Sequence, residues 1–92
     1  MILFELADAY HQTGKLEQAR LYYKDSLRLF RRSEDEDNMI VATIALGNLE
    51  MQIGNLSQAT EHLLEAKKHQ LTKNNPERLA EIDYLLNILQ KA

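Results

Sequence analysis

Ninety-two residues, 45% of them hydrophobic and 27% charged, exclude disorder along most of the chain and make one small domain, which buries only roughly 60–65% of its unfolded surface. A net charge of −3, with Arg28 and Arg31-Arg32 followed at once by the acidic run Glu34 to Asp37, excludes a uniformly basic surface, so no nucleic acid is expected as a partner. The lack of cysteine excludes a disulfide framework and a thiolate metal site. No stretch approaches the roughly 18 apolar residues of a membrane span, and Glu5 and Asp8 break the N-terminal stretch that a signal peptide would keep uncharged. A cytoplasmic chain with no membrane partner and no cofactor is expected.

Between three glycines and one proline the chain is rich in Leu, Ala, Glu, Gln, Lys and Arg, with apolar residues three and four apart, so the fold class is all-α. The first helix is predicted over about residues 2–12 and ends at Gly14, because glycine enters the left-handed conformation of a helix end without a Cβ penalty. The second covers about 16–32, with Leu16, Ala19, Tyr23, Leu27 and Phe30 as its apolar stripe. Ser33 and the acids after it resemble the context of an acidophilic kinase site. The simpler reading is a solvated helix start, where acids favour the positive end of the helix dipole. A third helix over about 38–53 ends at Gly54, and a fourth over about 57–72 carries Leu63 and Ala66. At "NNPE" a fifth helix opens, with Asn75 able to cap it and Pro76 suited to the first helical position, and it runs to about Gln90.

Laid over each other at a 40-residue offset, the two hairpins agree at Leu6/Leu46, Gln12/Gln52, Gly14/Gly54, Leu16/Leu56, Gln18/Gln58 and Ala19/Ala59. That internal repeat points to a solenoid. The run Leu3, Leu6-Ala7, Tyr10, Gly14, Ala19, Tyr23 resembles the tetratricopeptide repeat, and Leu46-Gly47, Gly54, Ala59 and Leu63 follow it in the second copy. The 40-residue spacing exceeds the usual 34 and is similar to the longer repeats of Pins-like and kinesin light-chain proteins. Glu50 departs from the family's tyrosine, and the closing proline is absent at Arg31 and Leu71. Small Ala7, Gly47, Ala19 and Ala59 are expected where paired helices come closest.

The resemblance implies a fragment of a right-handed superhelical solenoid. Repeat one lies at about 1–36 and repeat two at about 37–75; residues 76–91 form a capping helix or the first helix of a third repeat, all within a single domain of residues 1–92. It also implies a non-catalytic module that binds a protein or peptide in a concave groove lined by the first helix of each pair. On those helices the offset aligns Phe4, Ile44 and Tyr84, then Asp8 and Asn48, then His11 and Met51, then Gln12 and Gln52. These nine are the expected groove residues, although Phe4, Ile44 and Tyr84 also suit a core and the amides a solvated face. The family's carboxylate clamp needs lysines, arginines and asparagines, and Phe4, Asp8, Ala45, Glu81 and Leu85 stand at those places, so a chaperone tail is not the expected ligand.

His62, Glu65 and His69 share one helix stripe, but a metal site needs a further ligand and an orienting shell, so they read as ordinary helix-face residues. No nucleophile stands beside a base and no phosphate loop is present, so no active site is expected. The fifth helix is apolar over more than half its circumference, and so is the first. From these ends the sequence predicts an alternative: self-association into a homo-dimer, or contact with neighbouring repeats of a larger regulator, through Leu3, Leu85, Leu86 and Leu89.

Overall fold

The computed structural model describes residues 2–71, 73 and 75–91. It contains five helices, α1 (Ile2–Gln12), α2 (Leu16–Arg32), α3 (Glu36–Ile53), α4 (Leu56–Gln70) and α5 (Pro76–Gln90). Each packs chiefly on its neighbours in the chain, and α3 also touches α5, which is the stacking of a helical repeat. Two of the expected helix bounds shift by two residues, and α4 also opens one residue early, at Leu56. α3 begins two residues earlier than predicted, because Asp35 accepts the backbone N–H of Asn38 and so caps a helix that opens at Glu36. α4 ends at Gln70 rather than 72; Thr72 lies outside the described residues, as do Met1, Asn74 and Ala92.

The turns repeat with the sequence. Gly14 and Gly54 have φ of 81° and 98°, and in both turns the following residue donates its N–H five residues back, Lys15 to Tyr10 and Asn55 to Glu50, each at 2.9 Å. The glycine N–H bonds three residues back, to His11 or Met51, completing the motif by which a left-handed residue satisfies the last carbonyls of a helix. A third copy of this turn joins α2 to α3: Glu34 has φ of 56°, its N–H bonds Arg31, and Asp35 donates to Phe30 at 2.9 Å. Among the described residues only Glu34 takes the left-handed position while carrying a Cβ, at a conformational cost of roughly 1–2 kcal/mol.

The core lies on both flanks of α3, which is why that helix shows no single apolar stripe. On one flank Ala42, Leu46 and Leu49 pack with Ala7, Ala19, Tyr23, Leu27 and Phe30 of α1 and α2. On the other, Ile40 and Ile44 pack with Leu63 and Ala66 of α4 and Ile82 of α5. Gly47 marks the closest approach, since a Cβ there would lie 2.8 Å from Leu63 Cγ and 3.5 Å from the carbonyl oxygen of Ala59. The small residues expected at the crossings, Ala7, Ala19, Gly47 and Ala59, are all buried.

The two hairpins differ where the repeat departs from its pattern. Tyr10 stacks on Tyr22, ring centroids 5.5 Å apart and planes within 4°, under the ammonium of Lys15. At the matching position Glu50 is fully buried, and its Oε1 accepts from Arg20 Nη2 at 2.8 Å and from Asn55 Nδ2 at 3.3 Å. Arg20 reaches across from α2, so an ion pair joins the two repeats at that level.

Candidate partner-binding groove

α1 and α3, the first helices of the two hairpins, and α5 present one face to a groove with a volume of about 440 Å³. Of the residues expected there, Phe4, Asp8 and His11 from α1, Ile44 and Asn48 from α3 and Tyr84 from α5 line it together. Ile44 is 8% exposed and serves mainly as floor, whereas Tyr84 is 65% exposed and stands free at the rim. Phe4 lies between these extremes and packs against Tyr23, centroids 5.4 Å apart.

The remaining three fall elsewhere. Met51 is half-buried and packs against the apolar cluster shared by α3, α4 and α5. Gln12 is exposed in the last turn of α1, and Gln52 lies beyond the lining, where its side-chain oxygen accepts from His11 Nε2. Val41, Ala45, Glu81, Leu85 and Tyr23 complete the walls. Four of these were legible from the repeat, because Val41/Glu81 and Ala45/Leu85 stand at the same 40-residue offset as the Ile44/Tyr84 pair, one turn before it or one residue after it. Tyr23 carries no such signal, since it reaches in from α2.

Tyr23 organises one end of the groove. Its hydroxyl donates to Asp8 Oδ1, and His11 Nδ1 lies 3.2 Å from the same oxygen. Burial first, and then the hydrogen bond and negative charge of Asp8, push the Tyr23 phenol well above its ordinary pKa, so it remains a donor at any physiological pH. Asp8 is thereby oriented by a fixed partner at the border of the groove.

The four leucines expected to carry self-association divide. Leu3 is partly buried. Leu85, Leu86 and Leu89 pack against the α3–α4–α5 core, so they are partly covered within one chain. Leu86 and Leu89 still edge a depression of about 360 Å³ between α4 and α5, beside Leu64, which is 52% exposed, and the Lys67–Asp83 ion pair at 2.9 Å. Among the described residues no group of histidines and carboxylates could hold a metal. Glu65 pairs with Arg31 at 2.8 Å, and His69 faces Glu36 at 3.4 Å. Ser33 is exposed, and its hydroxyl donates to the Phe30 carbonyl at the end of α2.

A helical repeat with such turns, small-residue crossings and a face built by its first helices is the architecture of one family, and residues 1–72 match the description "Tetratricopeptide repeat". The chain belongs to the tetratricopeptide repeat family, whose members are in general protein–protein interaction modules. No curated protein and no solved structure matches it. Among the described residues no helix is long and apolar enough to cross a membrane.

Proposed function

We propose that this chain is a non-catalytic binding module of the cytoplasm whose α1–α3–α5 groove holds an extended or helical segment of a partner protein. The observation that carries the reading is the lining itself. Three helices that are not consecutive in sequence contribute aligned apolar side chains, and an aromatic ring stands 65% exposed at the rim, where a partner would cover it. The polar groups beside the ring, Asp8 and Asn48, are of the kind that fix the orientation of a bound backbone. A catalytic role does not suit the same groups, because the Asp8 contact holds the Tyr23 proton in place rather than freeing it.

Affinity capture with quantitative mass spectrometry tests the reading. Asn48→Trp fills the groove and Tyr84→Ala removes its rim, and both positions are exposed, so the fold should persist. Proteins retained by the wild type should fall at least tenfold with either variant and stay with Leu21→Ala, which lies outside the groove. Equal retention by all variants would contradict the reading.

The depression beside Leu64, Leu86 and Leu89 favours a second reading, in which two copies pair through α4 and α5. Sedimentation velocity across a wide concentration range tests it. A dimer that Leu64→Glu dissolves would support it, and a monomer at high micromolar concentration would remove it.

A further inference from the structure

We infer that the segment held in the α1–α3–α5 groove is apolar and carries at least one lysine or arginine, which lies between Asp8, Glu81 and the ring of Tyr84. This rests on the groove being the binding face. Asp8 enters from α1 and Glu81 from α5, so carboxylates stand on two walls, and among the described residues no lysine or arginine lines the groove. Some surface carboxylates elsewhere lean on the chain's own cations, as Glu65 does on Arg31, Asp83 on Lys67 and Glu36 on Lys73, whereas others stand in open solvent away from any apolar floor. Among the described residues Asp8 and Glu81 pair with no lysine or arginine, and they border the apolar floor of one groove. Asp8 is instead fixed by the Tyr23 hydroxyl, a neutral donor that leaves its charge uncompensated.

Tyr84 lies one turn after Glu81 on α5, so an exposed π-face and a carboxylate border the same space, which is the pairing that attracts an ammonium or guanidinium. The floor between them, made by Val41, Ile44 and Leu85, is apolar. A cationic residue flanked by apolar ones therefore matches both walls and floor, whereas an acidic segment would bring like charges together at Asp8 and Glu81. Where α2 and α4 meet, Lys24, Arg28 and Arg31 border another depression, but Asp25 pairs with Arg28 and Glu65 with Arg31 there.

Display selection of random dodecapeptides on the wild-type chain, followed by titration of the synthetic winners, tests the inference. Groove peptides are those lost on the Asn48→Trp chain. They should be enriched in Lys or Arg among apolar residues, weaken about threefold with Glu81→Gln and about tenfold with Asp8→Asn/Glu81→Gln, and weaken similarly when their own cation becomes glutamine. Asp8→Asn touches the Tyr23 contact, so circular dichroism accompanies it, and Glu81→Gln, which disturbs no contact, keeps the test decisive alone. Groove peptides that are neutral or acidic, or that ignore both substitutions, overturn the inference and leave the groove intact as a binding face. A selection that yields no groove peptide overturns both.

Discussion

At the position where the first hairpin holds Tyr10, the second holds Glu50, and the same place in the repeat is filled by different forces. Tyr10 stacks on Tyr22 within its own hairpin. Glu50 is buried and held by Arg20 from the hairpin before, so its bonds run between repeats rather than within one. One place in the repeat thus holds a stacked aromatic ring in one hairpin and a buried, paired carboxylate in the other, with Glu50 Oε2 and Arg20 Nε left without a hydrogen-bond partner among the described residues. A buried ion pair is costly to break and of uncertain net benefit, because both partners have given up water.

The largest expected effect comes from breaking that pair. Glu50→Ala leaves Arg20 with only the exposed Glu17 and opens a buried cavity, and should lower stability by about 3 kcal/mol in urea denaturation. Replacing both partners, Arg20→Leu with Glu50→Tyr, brings a first-hairpin residue into the second and should recover most of the loss. Failure of that double variant would mean that the ion pair itself, and not its filled volume, holds the repeats together.

Gly47→Ala comes next. The new Cβ would force Leu63 to move, an overpacking of roughly 1–3 kcal/mol that outweighs a gain of up to about 1 kcal/mol in helix propensity. At the α2–α3 turn the sign reverses. Glu34→Gly relieves the left-handed strain that the glycines at 14 and 54 avoid, and should stabilise the chain by about 0.5–1 kcal/mol.

The smallest expected effect is on pH dependence. Burial, the main influence, holds His62 below its ordinary pKa of 6.5, Lys24 adding a little and Glu50, Glu65 and Glu61 opposing. The unfolded chain then binds the proton more readily, so stability declines as pH falls below about 6.5. His62→Gln should flatten that slope. Glu36, drawn down mainly by its hydrogen bond to Lys73, contributes stability above the ordinary carboxylate range that is lost only at more acid pH, which separates the two.

Much of the fold was legible in the sequence because its signals are local. Gly14 and Gly54 announce their turns, and Asn75 with Pro76 announces α5. The turn at Glu34 was not legible, since glutamate carries no preference for the left-handed region; the capping by Asp35 that starts α3 early was missed with it. In the groove, the 40-residue offset found Phe4, Asp8, Ile44, Asn48 and Tyr84, whose helices stay in step. Near the turns it holds only for His11, since Gln12 and Gln52 lie outside the lining and Met51 packs against the apolar cluster of α3, α4 and α5. The partner of Glu50 was beyond reach, because only the fold brings Arg20 beside it.

Amide chemical-shift mapping decides whether the face of α1, α3 and α5 binds a partner segment. With a groove-selected peptide titrated into the labelled chain, shifts should concentrate at Phe4, Asp8, Ile44, Asn48 and Tyr84. Shifts gathered instead at Leu64, Leu86 and Leu89, or along Lys24, Arg28 and Arg31, would contradict it.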